Sequence, residues 1–376
     1  MVADDRVLRL VVAAGGTGGH VYPGIAIAEE WRRRHPGSDV IFVGTGRGLE
    51  AKVIPQAGFP LRQIAARGFP RHSPLGMVRA AWAFVQSLTQ SAALLRELKP
   101  AVVLGTGAYV SGPVVLVARL FGIPTVIQEQ NSIPGSTNRW LNLVADQVHI
   151  SFVESRNYFR RRNNLKVSGN PIRRSLVQQD RASACEALGL DPSRRTLFVF
   201  GGSRGARSIN EAVAGALPML RGLRDIQVLW QTGQEDHAAM EARRAGLPFP
   251  VRVVPYLDAI EKAYAASDLA ICRAGAMTIA EITACGVPAI LVPYPFATHD
   301  HQTHNARGLA DRGAAEMIQD RELTAQALAK LVEALFRDEP RRRALGRNAR
   351  AFARTDAAQR IVRSIEELLG LPAGDA

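Results

Sequence analysis

The sequence predicts an α/β protein built from two doubly wound parallel sheets. Three observations carry that expectation. Short apolar runs alternate with segments of helical composition along the whole chain, which is the pattern of repeated strand–helix–strand units. Each half opens with the same unit: an apolar run, a Gly-Gly-(Ser/Thr)-x-Gly turn and a helix, first at residues 7–34 and again from residue 196. The length of 376 residues fits two domains, and a composition 47% hydrophobic and 22% charged provides a sizeable core.

The net charge of +13 is unevenly placed. Residues 1–172 hold 20 lysines and arginines against 10 acids, whereas residues 173–376 hold 27 against 24. A basic first half calls for an anionic partner, which could be a membrane surface, a nucleic acid or an anionic substrate. Nucleic acid is the weakest of the three: there is no zinc-finger, helix-turn-helix or aromatic-basic signature, and aromatics are only 6%. No run of 18 apolar residues is present to span a bilayer. The start Met1-Val-Ala-Asp-Asp5 lacks the basic-then-apolar pattern of a secretory signal. Cys185, Cys272 and Cys285 have no metal or redox spacing, which suits a reducing cytoplasm.

In chain order, residues 7–13 read as a strand that runs into Gly15-Gly-Thr-Gly-Gly-His20 and a helix to about residue 34. The glycines let backbone approach a ligand closely, and a helix start favours an anion. The spacing is not G-x-G-x-x-G, and Asp39 precedes the strand at 40–43, whereas a dinucleotide site needs an acid after it, so a nicotinamide site is disfavoured. A second glycine loop from Gly44 to Glu50 reads either as a ligand loop or as a plain connection. Residues 74–98 are helical and unusually apolar, carrying Leu75, Met77, Val78, Trp82, Phe84, Val85, Leu88, Leu94 and Leu95, with Arg62, Arg67, Arg71 and Arg79 close by. That composition suits docking on an anionic membrane surface, or an ordinary core helix. A strand at 101–104 ends in the glycine-rich stretch Gly105–Pro113, and a strand at 125–127 delivers Gln128-Glu-Gln-Asn131 to the same edge. Open α/β sheets bind ligands at that edge. Glu129 fits a ligand contact or a buried acid paired with an arginine. A strand at 165–167 precedes a linker at 168–174.

The second half repeats the plan, with strands at 196–200, 226–231 and 251–254 and a strand at 288–293 that leads to Asp300-His-Gln-Thr-His-Asn305. Helices fill 323–337, 339–352 and about 357–369. Its centre is the stretch 268–286, a buried strand to Cys272, a small-residue turn Arg273-Ala-Gly-Ala276 and a helix from Met277 that stops at Gly286. Free N–H groups at that helix start suit a diphosphate, and Glu281 can point back toward the same edge to hold a sugar diol. Thr278-Ile-Ala-Glu281 fits a capping box equally well, in which Glu281 serves only its own helix.

Seven motifs in order resemble a known family. They are Gly15-Gly-Thr-Gly-Gly-His20, Gly107-Ala-Tyr-Val-Ser-Gly112, Glu129-Gln-Asn131, Gly169-Asn-Pro-Ile-Arg173, Gly201-Gly-Ser-Arg-Gly-Ala206, Arg273-Ala-Gly-Ala-Met-Thr278 with Glu281, and His301-Gln-Thr-His-Asn305. Together they are similar to the bacterial N-acetylglucosaminyltransferases of peptidoglycan synthesis, the MurG family. The resemblance implies a GT-B fold, two Rossmann-like domains facing a cleft. The first is residues 1–170 with a returning helix at about 355–376, and binds acceptor and membrane. The second is residues 171–354 and binds UDP-N-acetylglucosamine. The implied acceptor is undecaprenyl-diphospho-N-acetylmuramoyl-pentapeptide, and the sugar moves to its 4-hydroxyl with inversion. The implied location is peripheral, on the cytoplasmic face of the inner membrane.

Position by position, the resemblance places Arg173 and the backbone of Leu257 beside uracil. Ser203, Ala276, Met277 and Thr278 meet the diphosphate and sugar, Glu281 holds the ribose diol, and Asn131 and Gln302 read the sugar hydroxyls. Thr17, Gly18 and Gly19 border the reaction centre. The loops with Gly15, Gly16, Gly107, Tyr109 and Ser111 cradle the acceptor diphosphate. His20 is the first candidate for the base and Glu129 the second. No Asp-x-Asp motif stands at a strand end, so no metal and no cofactor is expected. Two positions depart from the family pattern: Gln128 stands where histidine is common, and Arg204 where glutamine is common. Gln128 cannot act as a base, and Arg204 adds a cation near the expected phosphates. The rival readings are another GT-B enzyme (a diacylglycerol glycosyltransferase or a UDP-N-acetylglucosamine 2-epimerase), a nicotinamide oxidoreductase, and a non-catalytic nucleotide-sugar module.

Overall fold

A computed structural model describes residues 8–66, 74–297 and 300–372. The chain divides into two compact units, Met1–Arg173 with Arg354–Ala376, and Arg174–Ala353.

The first unit runs β1 (Arg9–Ala13), α1 (Gly18–Arg34), β2 (Asp39–Gly44), α2 (Leu49–Gln56), β3 (Leu61–Gln63), α3 (Pro74–Leu98), β4 (Val102–Gly105), α4 (Ala108–Leu120), β5 (Thr125–Glu129), α5 (Ser136–Leu141), β6 (Gln147–Ile150) and β7 (Leu165–Val167). Its seven strands are ordered β3-β2-β1-β4-β5-β6-β7 and all pair in parallel. Leu10 lies opposite both Val40 and Val102. Successive side chains of β1 enter opposite cores, Leu10 and Val12 one and Val11 and Ala13 the other. A parallel strand covered on both faces is apolar at every position for this reason. Chain direction along the sheet reverses between β1 and β4, which makes their C-terminal ends the switch point of the sheet.

The second unit runs α6 (Arg181–Ala187), β8 (Arg195–Phe200), α7 (Arg207–Ala216), β9 (Ile226–Gln231), α8 (His237–Ala242), β10 (Val251–Val254), α9 (Ile260–Ala266), β11 (Leu269–Cys272), α10 (Ala276–Cys285), β12 (Ala289–Leu291), α11 (His301–Ala310), β13 (Glu316–Met317), α12 (Ala325–Arg337) and α13 (Glu339–Phe352). Its six strands are ordered β10-β9-β8-β11-β12-β13, again all parallel, with the switch point between β8 and β11. The last helix, α14 (Ala357–Leu369), belongs to the first unit. It packs Ile361, Val362 and Ile365 into the core of Leu10, Val12, Ile25 and Phe42. It is also tied to α1 by a bidentate pair: Arg34 Nε and Nη2 donate to the two carboxylate oxygens of Glu366 at 2.7 and 2.8 Å, both side chains nearly fully buried. Removing one partner of such a pair strands a buried charge.

Strands β3, β6 and β13 were not expected from the sequence. In β6 the apolar run is broken by Gln147 and His149, both buried. Their polar atoms are satisfied by each other and by residues further along the chain: His149 Nδ1 lies 2.6 Å from Ser168 Oγ and Nε2 3.2 Å from Gln147 Oε1, while Gln147 Nε2 donates to the Ser364 carbonyl at 3.0 Å. Among the described residues no helix is long and apolar enough to cross a membrane.

Burial, aided by the charge on Lys166, pushes the His149 pKa from 6.5 down to about 3. The ring is therefore neutral in the fold and protonates far more readily once unfolded. A depressed value means its stabilisation is complete above pH 6.5 and is lost as the pH falls toward 3. Urea unfolding is expected to show this group weakening the fold by about 2 kcal/mol between pH 7 and pH 5. His149→Gln should flatten that part of the pH profile; a variant with the same slope as the parent would contradict the assignment.

Candidate functional site

The two switch points share one local construction. Helices α1 and α4 leave the C-terminal ends of the adjacent strands β1 and β4, and α7 and α10 leave those of β8 and β11. None of these four helices has a side-chain cap; the residues at their N-caps are Thr17, Gly107, Ala206 and Gly275. Helices α2, α5, α8, α9, α11 and α14 lack one too, and side-chain caps are made by Asp180 on α6, Thr324 on α12 and Asp338 on α13; what sets the four apart is their place at the switch points. A helix start of this kind turns the positive end of its dipole toward an anion.

In the first unit the loop of Gly15 and Gly16 is shaped by Glu50, which is fully buried. One carboxylate oxygen of Glu50 accepts from the Gly16 N–H at 3.3 Å and the other from Thr45 Oγ1 at 2.6 Å. The loop after β2 is thus bound to the loop after β1 and is more than a plain connection. Thr17 is exposed, with Gly18 and Gly19 partly so, and Tyr22 packs under Gly18. On the neighbouring strand end, Gly107 has φ of +105°, and a Cβ there would stand 2.9 Å from His20 Nδ1. Only glycine fits both that backbone and that approach. Ala108 follows at φ +59°, which costs on the order of 1–2 kcal/mol for a residue with a side chain.

His20 is partly buried, and its Nδ1 lies 3.1 Å from the Thr106 carbonyl and 2.9 Å from Gln130 Oε1. With two acceptors on Nδ1, the proton sits there and Nε2 keeps its lone pair. Tyr109 is partly buried against the core. Ser111 is fully buried: its hydroxyl accepts from the Gly107 N–H at 3.0 Å and donates to the Ala13 carbonyl at 3.0 Å. Ser111 therefore holds the loop from beneath, and its hydroxyl does not face a ligand.

Glu129 is buried, and among the described residues it is not paired with an arginine. Its carboxylate accepts four amide hydrogen bonds, from the backbone N–H of Asn131 at 2.8 Å, Asn131 Nδ2 at 3.1 Å, the Gly135 N–H at 3.1 Å and Asn138 Nδ2 at 2.9 Å. A carboxylate offers about four acceptor sites, so none is left to take a substrate proton. The same carboxylate ties down the amide nitrogen of Asn131. Arg173 belongs to the first unit, with its guanidinium 4.9 Å from the centre of the Tyr22 ring.

In the second unit the capping box does not form. Helix α10 starts at Ala276 with Gly275 as N-cap, so Thr278 lies inside the first turn. The Glu281 carboxylate accepts instead from the Tyr264 hydroxyl at 2.8 Å. Tyr264 is completely buried, and burial together with the Glu281 charge holds its pKa well above the usual value, so it remains a donor. Burial first, then Glu281, also pushes the Cys285 thiol up to about 12 and raises Cys272, so neither is a nucleophile. Ala276 and Met277 are buried and Thr278 partly so, in the first turn of α10. Ser203 and Arg204 lie exposed on the loop after β8. Gly205, at φ +80°, lets that loop lie on the next one: a Cβ there would come 1.9 Å from the Thr232 carbonyl oxygen. The Leu257 N–H already donates to Gln231 Oε1 at 2.9 Å, so any ligand contact from its backbone falls to the carbonyl. Gln302 Oε1 accepts from the Tyr294 N–H at 3.0 Å.

Three residues that organise this site were not singled out as such from the sequence: Glu50, Arg273 and Asn305. Arg273 Nη1 donates to Asp320 Oδ1 at 2.5 Å and to the carbonyls of Val292 and Pro293, and Nη2 donates to Ser208 Oγ at 2.8 Å. It clamps the turn before α10 to its neighbours. Asn305 Nδ2 donates to the Ala274 carbonyl at 3.1 Å and ties α11 to that turn. Their place within the motifs was the signal available. Asp39 begins β2 and pairs with Arg9 at 2.6 Å, at the end of the sheet opposite the glycine loops, so a dinucleotide site has no ribose acid there. A cavity of about 370 Å³ lined by Leu190, Gln227, Arg244 and Arg252 contains none of the site residues.

Comparison with known proteins agrees with this geometry. Residues 10–150 match the glycosyltransferase family 28 N-terminal domain and residues 196–361 its C-terminal domain. A protein of Desulforudis audaxviator, named UDP-N-acetylglucosamine--N-acetylmuramyl-(pentapeptide) pyrophosphoryl-undecaprenol N-acetylglucosamine transferase, is 42% identical over 369 residues, 96% of this chain and 99% of that protein. A protein of the same name from Anaeromyxobacter sp. is 44% identical over 372 residues, 98% of this chain and 96% of its own. The crystal structure of Acinetobacter baumannii MurG superposes with a TM-score of 0.73 at 32% identity, covering 96% of this chain and all of that one. The fold is GT-B, and the chain belongs to glycosyltransferase family 28 and, within it, to the MurG family.

Proposed function

We infer that the chain transfers N-acetylglucosamine from UDP-N-acetylglucosamine to the 4-hydroxyl of undecaprenyl-diphospho-N-acetylmuramoyl-pentapeptide, with inversion, as a step of peptidoglycan synthesis. The observation that carries this reading is the pair of switch points with uncapped helix starts, in a chain similar over its whole length to transferases of that name. That similarity favours the transferase over an epimerase or a diacylglycerol glycosyltransferase.

The second unit holds the donor. The N–H groups at the start of α10, with Ser203 on the loop after β8, receive the diphosphate, and Glu281 accepts from the ribose hydroxyls. Tyr264 fixes the Glu281 carboxylate for that contact. Within this unit the carbonyl of Leu257 serves the uracil and Gln302 the sugar. As the bond from the anomeric carbon to UDP breaks, negative charge collects on the departing diphosphate, and the positive end of α10 stabilises it where it develops. The first unit holds the acceptor diphosphate on the loops of Gly15, Gly16, Gly107 and Tyr109, with Thr17, Gly18, Gly19 and Asn131 bordering the reaction centre. His20 Nε2 takes the proton of the 4-hydroxyl as its oxygen attacks. Glu129 and Ser111 support the loops that carry these groups.

The first unit also meets an anionic membrane surface from the cytoplasmic side. Trp82 and Val85 on α3 are exposed, Trp82 at 65%, and Trp140 on α5 at 76%. These helices converge at Gly112, where a Cβ would touch both Phe84 and Thr137. Arg79 and Arg139 are exposed beside the two tryptophans. Arg62 is engaged with Glu97 at 2.7 Å. Arg67 and Arg71 lie outside the described residues, and for Leu75, Met77 and Val78 only the backbone is described.

Two variants separate donor binding from chemistry. Glu281→Ala is expected to raise the Kd for UDP about 10- to 100-fold, the worth of one charged hydrogen bond, and the loss should shrink with 2′-deoxy-UDP. His20→Ala should lower kcat by roughly 10²- to 10⁴-fold and leave UDP binding unchanged. Donor affinity unaltered in Glu281→Ala, or turnover unaltered in His20→Ala, would remove the role assigned to that residue. Co-sedimentation with vesicles containing phosphatidylglycerol tests the surface. Trp82→Ser with Trp140→Ser should release the protein and added salt should weaken the parent, whereas equal binding by parent and variant rejects this face.

A further inference from the structure

Behind His20 stands a set of buried side-chain amides that the reaction above does not use. Gln128, Gln130 and Asn170 are all buried. The Nδ1–H of His20 has two acceptors only if Gln130 turns its oxygen toward the ring. The other end of Gln130 decides this. Its Nε2 lies 2.7 Å from the Thr106 carbonyl and 3.3 Å from the Gln128 carbonyl, and also donates to Gln128 Oε1. A flipped amide would set its oxygen against three oxygens, which the surroundings forbid. Gln128 is oriented in the same way, its Nε2 3.3 Å from both Ser151 Oγ and Asn170 Oδ1. Asn170 Nδ2 then donates to the Gln130 carbonyl at 3.1 Å and closes the network.

We propose that Gln130, itself oriented by Gln128, is a positioning residue that holds His20 as the Nδ1–H tautomer and so keeps the Nε2 lone pair for the acceptor hydroxyl. This rests on His20 being the base. Without Gln130 Oε1, the Nδ1–H form keeps only the Thr106 carbonyl, and the ring is free to adopt the Nε2–H form that dominates in free histidine. That form presents a donor to the acceptor hydroxyl and cannot take its proton. The glutamine at position 128 matters here because it offers an acceptor to Gln130 and a donor to Ser151 and Asn170 without taking up charge, so the orientation of Gln130 does not change with pH. A fully buried amide network of this kind specifies one arrangement because each member has a single satisfied orientation.

The tautomer can be read without turnover. The full-length protein is labelled with ¹⁵N-histidine, and the His20 signals are identified by their loss in His20→Gln. Long-range ¹⁵N–¹H correlation at pH 8 should show a protonated Nδ1 and an unprotonated Nε2 in the parent. Gln130→Met should give a mixed signature and a kcat lower by on the order of 10- to 100-fold, with the KM for UDP-N-acetylglucosamine unchanged. Gln128→Met should move both readouts in the same direction by less. A parent in the Nε2–H form overturns the proposal. So does a Gln130→Met protein that keeps the parent signature, since the Thr106 carbonyl then suffices. A shifted tautomer with full kcat sustains the hold of Gln130 on the ring and instead removes His20 as the base.

Discussion

The constraint on which the rest depends is the uncapped helix start. At both switch points a strand ends, a turn follows, and the N-cap residue of the next helix lends it no side-chain cap. The positive end of a helix dipole at such a start suits the charge of a diphosphate. The sheet brings two such starts side by side in each unit, because the strands that carry them are neighbours of opposite winding. Loss of Gly107 or Gly205 would close these approaches, since a Cβ at either would collide with His20 or with the next loop.

Three buried carboxylates then hold the loops in place. Glu50 takes an N–H from the first glycine loop, Glu129 takes four amide donors from the loop after β5, and Glu281 takes the Tyr264 hydroxyl. Burying a carboxylate is costly unless hydrogen bonds replace water. Where all its acceptor sites are filled from within, as at Glu129, the group is scaffolding. Glu281, at the edge of the second sheet, fits a ligand role. Neutral donors also leave the local field to the helix starts, which is where a leaving diphosphate needs it.

Much of this was legible in the sequence. The parallel strands of both sheets stand out because burial on two faces makes them apolar throughout, and the glycine turns mark their C-terminal ends. Strand β6 was hidden because Gln147 and His149 look like loop residues until Ser168 and Ser364 are seen to satisfy them. The capping box at Thr278 was a sound local reading that tertiary structure overrode: the helix began earlier, and a tyrosine on α9 claimed the carboxylate. The orientation of Ser111, Glu129 and Gln130 depends on partners brought together by the fold, which spacing along the chain does not reveal. Arg273 reads from the sequence as one residue of the turn before α10, and the fold makes it the clamp of that turn, held by Asp320, Ser208 and two carbonyls.

The amide network behind His20 and the hydroxyl behind Glu281 follow one design, in which the side chain proposed for chemistry or binding is oriented by a buried neighbour. In the proposed reaction the first acts on the proton of the acceptor hydroxyl and the second on the donor. The most direct test is to incubate the protein with UDP-N-acetylglucosamine labelled in the sugar and a short-chain lipid-diphosphate-linked muramoyl pentapeptide, then resolve the products. The account predicts label in the lipid product in proportion to UDP released, joined through a β-linkage to the 4-hydroxyl. UDP release with the label recovered as free or epimerised sugar, or an α-linkage in the product, would contradict it.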